Sequence, residues 1–323
     1  MLTRRQFVAT AAAAAGAVSM VGPARAQSTT PRIGYIADFP GGSLFAIAQD
    51  QKLWEAEGLT PELFVFTNGP LQVQAMDGGS LDFGSIGPGP IWLAATGRIK
   101  ILAVNVVSFS DRVITQPAIK SMEELRGKKV GVTQGASGEM ILRLGLAKYN
   151  MTINDIDLIP MDPSTVVSAF ASGQIDGAGI WYPLVGTIKE RVPELNELVQ
   201  NTDFYPDVSF FNPFIARNQV VADDPELVKG YLRVLKKAMD YRAANLDRSI
   251  DLTAAFLGVP RPPLETVAKS LKLLTSAELV TMTQDGTVYK WLDKFNEMFK
   301  QFGTAPNPLP PQQYYTADLF VSA

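Results

Sequence analysis

The chain has 323 residues, of which 46% are hydrophobic and 19% charged, and its formal net charge is −3. This is an ordinary globular composition, and the length leaves room for two cores. The sequence has no cysteine and no histidine, which excludes disulfides, thiol chemistry, Cys/His metal sites and imidazole-dependent triads. The slight acidity, without a dense Lys/Arg cluster, argues against a nucleic-acid partner. We therefore expect no metal site and no cofactor.

The first 26 residues have the pattern of an export signal. Arg4 and Arg5 precede an apolar run over 9–21, and Ala24-Arg25-Ala26 fits a small-x-small cleavage site. The alternative, a membrane anchor helix, is disfavoured because the apolar run is too short to span a bilayer comfortably. The pattern predicts a twin-arginine signal peptide over 1–26 and a mature chain free in the periplasm, with no membrane-inserted segment.

From residue 33 onward, short apolar strands alternate with helical patterns, as is typical of α/β proteins. Ser43 has the features of an N-cap, and Asn68 or Gly69 is expected to open the next helix. The segment 110–118 interrupts the alternation and is predicted to link two parts of the chain. The predicted elements of this part are strands at 33–37, 62–66, 81–85 and 99–107, and a helix from Ser43 to about Glu57.

After this link the alternation resumes. The stretch Ser121-Met122-Glu123-Glu124 is predicted to form a capping box that opens a short helix. The irregular, aromatic-rich segment 201–213 is expected to precede a second crossing of the chain. The further predictions are strands at 129–133, 156–160, 175–180, 195–200 and 214–216, helices at 138–149, 164–171 and 225–246, and more helices to about 303 with a break at 260–263.

Two parts of the chain repeat one pattern. Arg32-Ile33-Gly34-Tyr35 and Lys129-Val130-Gly131-Val132 share the order basic-apolar-Gly-apolar, and each precedes a loop rich in small residues and a helix. Gly79-x-x-Asp82 and Gly173-x-x-Asp176 follow in the same order. The repeat is too long for a solenoid and predicts two similar lobes.

Three serines follow predicted strand ends, where an α/β sheet places its ligands. They are Ser43, Ser85 and Ser137. Their hydroxyls, with neighbouring backbone N–H groups, suit an oxyanion that is held without a basic side chain. Helix capping alone is an equally good interpretation of Ser43 and Ser137.

Other residues near these loops are candidates for ligand contact. Gly42, Gly87 and Gly138 would let a ligand approach the backbone closely. Glu139 would complement the dipole of its own helix. If it points into the site instead, it would repel an anion and favour a neutral or cationic ligand.

Two carboxylates are further candidates. Asp38 follows the first strand, and Asp207 lies in the aromatic-rich segment. Either residue is a possible partner for a ligand ammonium or hydroxyl group, and either is equally compatible with a solvated loop position.

Taken together, the motifs resemble those of periplasmic substrate-binding proteins of ABC importers, in the subgroup that includes nitrate, taurine and alkanesulfonate binders. The resemblance covers nearly all of the chain after the signal. It rests on the strand-loop-helix opening at 32–54, the Gly79 and Gly173 motifs, the segment 125–132, and Trp181-x-Pro183.

The resemblance implies a two-lobed type II periplasmic binding protein of the α/β class. Each lobe would hold a mixed sheet flanked by helices, and two crossover strands would act as a hinge around the ligand cleft. It also implies that Trp181 and the adjacent Tyr182 line the pocket. The expected division is 1–26 signal peptide, 27–111 first lobe, 112–212 second lobe, and 213–323 the return to the first lobe with the C-terminal helices.

The expected function is capture of a small organic anion, a sulfonate or carboxylate, by a monomer that delivers it to an ABC permease. The alternative ligand is a neutral or cationic heterocycle or amine, of the pyrimidine or thiamine-precursor type. Delivery to a sensor instead of a transporter stays open. An enzyme on the same fold is disfavoured because the commonest general base and nucleophile are absent.

Overall fold

The protein is built around two β-sheets. A computed structural model describes residues 30–323, and the predicted signal peptide lies outside these residues. The first sheet has the strand order β11-β4-β10-β3-β1-β2 and the second has the order β7-β6-β8-β5-β9. The strands are β1 (Arg32–Ile36), β2 (Glu62–Phe66), β3 (Phe83–Ser85), β4 (Ile99–Ser108), β5 (Asp111–Thr115), β6 (Lys129–Val132), β7 (Asp157–Pro160), β8 (Gly177–Trp181), β9 (Asn196–Gln200), β10 (Phe211–Arg217) and β11 (Leu271–Leu273).

Helices cover both sheets. Within residues 30–323, no helix has the length and apolarity needed to cross a membrane. The helices are α1 (Phe39–Asp50), α2 (Leu53–Ala56), α3 (Gly69–Asp77), α4 (Ile91–Ala95), α5 (Ser137–Lys148), α6 (Pro163–Ala171), α7 (Leu184–Lys189), α8 (Asn218–Asp223), α9 (Pro225–Ala244), α10 (Leu246–Leu257), α11 (Arg261–Lys269), α12 (Ser276–Gln284), α13 (Thr287–Phe302), α14 (Pro311–Tyr314) and α15 (Ala317–Ser322).

The two sheets have the same internal arrangement. In the first, β1 lies between β2 and β3, parallel to both, and β10 then pairs antiparallel with β3. In the second, β6 lies between β7 and β8, parallel to both, and β5 pairs antiparallel with β8. Strands β4 and β9 complete the correspondence next to β10 and β5. The predicted α/β fold with two similar lobes is confirmed.

The repeated Gly-x-x-Asp motif stabilises the same corner of each sheet. Asp82 accepts a hydrogen bond from the backbone N–H of Arg32 at 3.0 Å, and Asp176 accepts one from that of Lys129 at 2.9 Å. The backbone N–H of each aspartate donates in return to the carbonyl of the same strand residue. These bonds lie at the start of β1 and β6. The motif is therefore at the end of each sheet that lies away from the loops with the predicted ligand-binding residues.

The chain passes between the sheets twice. It leaves the first sheet after β4 and enters the second at β5, so the predicted link at 110–118 contains a strand. It returns between β9 and β10. Val113 and Ile114 of β5 are fully buried, so the link is itself part of the second sheet.

Two helix starts also differ from the predictions. Helix α1 begins at Phe39, four residues before Ser43, because the Asp38 side chain caps it and Pro40 lies where a missing N–H costs little. It ends at Asp50, and Leu53–Ala56 forms a separate helix, because Lys52 adopts a left-handed conformation. The predicted capping box at Ser121 is absent, and Glu123–Leu125 forms a 3-10 turn without a side-chain cap.

Helix α9 packs on the first sheet, as its apolar spacing predicts. Tyr231 stacks on Phe83 of β3, with 4.3 Å between ring centroids, and on Trp54 of α2. Near the end of α9, the fully buried Arg242 donates to the Ser43 hydroxyl at 2.9 Å and to the Asn105 side chain at 2.8 Å. Burial lowers the pKa of Arg242 to about 9. A buried cation therefore connects α9 with α1 and β4 in the interior of the first half.

Candidate functional site

A cavity of about 490 Å³ lies between the two sheets, at the carboxyl ends of their parallel strands. This volume includes space that is open to solvent. Both halves of the molecule and both crossings of the chain contribute to its wall. The lining residues with polar side chains are Asp38, Asn68, Ser108, Ser110, Asp111, Ser137, Trp181, Tyr182 and Asn212.

Asp38 enters the cavity from the first half. Its Oδ1 accepts a hydrogen bond from the Gly41 N–H at 2.7 Å, which caps α1 and fixes the carboxylate at the helix start. Burial, with a smaller contribution from the charge of Asp111, raises the pKa of Asp38 to about 7. The carboxylate therefore changes its charge near neutral pH.

Asp111 is the functional candidate that the sequence interpretation missed. It begins β5, pairs with Trp181 across the ladder, and is 2% exposed. Asn201 donates to its Oδ2 at 3.1 Å, whereas its Oδ1 has no hydrogen-bond partner within residues 30–323. Burial raises the pKa of Asp111, and the nearby Ser137 hydroxyl, the Asn201 amide and the charge of Arg112 act in the opposite direction. A buried carboxylate oxygen is thus left for a donor in the cavity.

The signal that would have identified Asp111 is its place in the chain. Ser108 ends the apolar strand β4, and Ser110 and Asp111 come directly after it, at the first crossing. Asn212 has the matching place at the second crossing, and its Oδ1 also lacks a partner among the described residues. Ser108, Asp111 and Asn212 all line the cavity from these crossings.

The charge of the cavity wall is acidic. Two carboxylates, Asp38 and Asp111, line it, and within residues 30–323 no lysine or arginine is among the lining residues. Arg112 and Lys189 both pair with Glu197, and their charged groups lie 5.4 and 6.0 Å from the centroid of the Tyr182 ring. The Tyr182 hydroxyl donates to Glu197 at 2.8 Å, and this hydrogen bond fixes the orientation of the ring.

Ser137 is at the first position of α5, and Ala136 before it provides no side-chain cap. The N-terminus of α5 is nevertheless covered by the other half of the molecule. A Cβ added to Gly89, which precedes α4, would be 2.4 Å from the backbone N of Ser137 and 2.2 Å from the carbonyl C of Ala136. The halves are therefore in contact here, and only a residue without a side chain fits at position 89.

Five of the predicted site residues line the cavity, namely Asp38, Gly87, Ser137, Trp181 and Tyr182. The expectation that the three serines share one cavity was wrong. Ser43 lies inside α1, fully buried and bonded to Arg242. Ser85 lies within β3, where the Gln72 side chain bonds both its N–H and its carbonyl.

The other predicted residues also lie outside the cavity lining. Gly42 packs against Leu257, and a Cβ on Gly138 would be 2.2 Å from the Gly179 carbonyl O, so both glycines serve helix packing. Glu139 accepts from the Gly135 N–H at 2.7 Å and pairs with Arg143 at 2.6 Å, so its charge is directed away from the site. Asp207 is exposed on the surface.

Comparison with known proteins identifies relatives across the whole chain. The model of the family described as NMT1/THI5 like matches residues 43–249. A Brucella abortus protein named "Putative binding protein" is 54% identical over 321 residues, covering 99% of this chain and all of that protein. The taurine-binding periplasmic protein of Escherichia coli is 22% identical over 281 residues, covering 84% of this chain and 87% of its own length.

Solved structures share the fold. The alkanesulfonate-binding protein SsuA of Xanthomonas axonopodis pv. citri, bound to MOPS, matches with a TM-score of 0.64 at 21% identity, over 83% of this chain and 95% of that one. The desulfurization enzyme DSZB matches with a TM-score of 0.64 at 14% identity, over 91% of this chain and 98% of that one. At these identities the likeness shows the fold alone, and the fold serves both binding proteins and an enzyme.

Proposed function

This chain belongs to the NMT1/THI5-like family, and from that premise we propose that it captures a small organic solute in the cleft between its two sheets and delivers it to an ABC permease. The observation that carries the proposal is the cavity lined by residues of both halves and both crossings. The names of the relatives, binding proteins for the most part, support a binding role over catalysis.

Two classes of solute have support. Sulfonates and carboxylates are favoured by the names of the taurine- and alkanesulfonate-binding relatives and by the first turn of α5, which no side chain caps. Neutral or cationic amines and heterocycles are favoured by the two buried carboxylates in the wall. The chemistry of the wall gives the second class the stronger support.

Location and assembly complete the proposal. The protein acts as a periplasmic monomer, exported by the twin-arginine signal in residues 1–26, which lies outside the described residues. The lobes correspond to 27–111 with 213–323, and to 112–212. Ligand binding closes them about the two crossings, and release to the permease requires them to reopen.

The test is a melting-temperature screen of the mature protein against size-matched sulfonates, carboxylates, amines and N-heterocycles, followed by solution X-ray scattering. A binding solute is expected to raise the melting temperature by mass action and to reduce the radius of gyration of the protein.

Gly89→Val provides the matched control. The added side chain would meet the backbone of Ala136 only when the halves are closed. We expect this variant to keep the melting temperature of the free protein and to lose ligand-induced compaction, with about tenfold weaker binding or more. Binding without compaction in the wild type would reject the closure mechanism, and no binding in any class would reject solute capture.

A further inference from the structure

The chemistry of the cleft is more specific than its shape. We propose, resting on the solute-capture function above, that Asp38 and Asp111 form a paired acceptor site for a protonated nitrogen, so that the ligand is a small amine or amino-heterocycle bound as a cation. The pair is the specificity determinant of the cleft, and sulfonates without an amino group are excluded.

The first support is a buried carboxylate oxygen, Oδ1 of Asp111, that has no hydrogen-bond donor in the part of the chain that the structure describes. Oδ1 of Asp111 is buried without a partner among residues 30–323, and Asp111 is 2% exposed. Leaving a buried carboxylate oxygen unpaired is unfavourable. Asn212, also in the wall, has a second buried acceptor without a described partner. The wall thus presents acceptors, which an N–H group satisfies and a sulfonate oxygen does not.

The second support is the absence of positive charge from the wall. Among the residues that the structure describes, no lysine or arginine lines the cavity. Arg112 and Lys189, beside Tyr182, both pair with Glu197, and Arg242 is bonded to Ser43 and Asn105. A sulfonate placed beside two carboxylates would be repelled, whereas a cation would relieve the repulsion between them.

The third support is the aromatic surface beside the carboxylates. Trp181, the ladder neighbour of Asp111, and Tyr182 both line the cavity. The faces of such rings attract cations. The Tyr182 ring already has the Arg112 guanidinium 5.4 Å and the Lys189 ammonium 6.0 Å from its centroid, so Trp181 is the ring expected to face a ligand cation.

The pair also predicts how binding depends on pH. Burial and the charge of Asp111 raise the pKa of Asp38 to about 7, and burial raises that of Asp111. The other titratable or charged groups around the pair are Arg112, Lys189, Tyr182 and Glu197, with Arg242 bonded to Ser43 of α1. Lowering the pH through 7 protonates Asp38 and removes negative charge, so a cation binds less tightly. An anion would instead bind more tightly.

The experiment is titration calorimetry of the mature protein with propylamine, 4-aminopyrimidine, taurine and ethanesulfonate, and with the amines and N-heterocycles found in the melting screen, at pH 5.5, 7 and 8. We expect binding by amino-bearing probes and none by ethanesulfonate. For propylamine, which stays protonated over this whole range, the dissociation constant should rise up to about tenfold per pH unit below 7. Asp111→Asn and Asp38→Asn should each weaken binding at least tenfold at pH 8, whereas Asp207→Asn, with the same charge change at an exposed site, should not.

The outcomes separate this inference from the proposed function. If ethanesulfonate binds while amines and N-heterocycles do not, or if propylamine binding strengthens at low pH, the cation site is rejected and solute capture stands. If no probe of any class binds, both are rejected. Circular dichroism and melting of each variant establish that it is folded, and Asp38→Asn provides an independent test if Asp111→Asn does not fold.

Discussion

The two halves of the molecule build the same strand-loop-helix unit and equip it differently. In the first, two residues separate β1 from α1, and the Asp38 carboxylate caps the helix. In the second, four residues separate β6 from α5, and Ala136 leaves the helix uncapped. The first half therefore supplies negative charge to the cleft. The second half supplies the N-terminus of α5, which Gly89 of the first half covers. Shared topology places the loops, and the residues within them decide the chemistry.

The largest effect is expected from breaking the packing of the second unit. In Gly138→Ala, the new Cβ would be 2.2 Å from the Gly179 carbonyl O, so α5 must move away from β8. We expect the free energy of unfolding to fall by about 3 kcal/mol, as measured by urea denaturation. Gly42→Ala is the matched control in the first unit, because its Cβ would meet only the flexible Leu257 side chain, at 3.1 Å. Equal losses in the two variants would contradict this account.

The next effect concerns the cap of the first unit. The pKa of Asp38 is about 7 in the folded protein and returns toward 3.8 on unfolding. The folded state therefore binds more protons between these values, and this contribution to stability is lost as pH rises toward 7. Asn can still accept from the Gly41 N–H but carries no charge. We expect Asp38→Asn to raise the free energy of unfolding by on the order of 1–3 kcal/mol at pH 8 and to leave it nearly unchanged at pH 4.

Thermal unfolding of the ligand-free protein at several pH values measures this difference. Asp207→Asn, at an exposed position, serves as the control for the loss of one negative charge. A stabilisation of Asp38→Asn that does not depend on pH would contradict the assigned charge change.

The smallest effect is expected at the start of α5. Ser137 does not cap its helix, and its nearby hydroxyl lowers the pKa of Asp111. Ser137→Ala should therefore cost less than about 1 kcal/mol of unfolding free energy. It should also shift the pH dependence of amine binding to higher pH, because it removes a group that lowers the pKa of Asp111. A loss comparable to that of a true N-cap would assign Ser137 a structural role instead.

Trp181 shows how the structure modifies a sequence-based expectation. If Trp181 only lined the pocket, a Trp181→Ala variant would bind ligand more weakly and keep its stability. The side chain is 9% exposed and packs in the hydrophobic core of the second half as well as lining the cavity. A residue that serves both roles is expected to lose both on truncation, so it cannot separate packing from recognition.

Local patterns were enough to predict nine of the eleven strands within residues 30–323, the longer helices and the duplication, whereas β5 and β11 were missed. Residues such as Ile33 and Val130 are buried in central strands, and apolar runs of this kind are visible in sequence. The start of α1 was missed because Ser43 and Asp38 both have capping chemistry, and the choice depends on Arg242, which binds Ser43 from 199 positions away. Asp111 was missed for a related reason, since its neighbours in space come from both halves.

The order of strands along the chain has a consequence for biosynthesis. All five strands of the second sheet come from the continuous stretch 111–200. The first sheet needs β10 between β3 and β4, so its centre stays open until residue 217 has been made. On a ribosome that adds residues from the amino end, the half that begins later is therefore able to complete its sheet first, and the earlier half must wait with exposed strand edges.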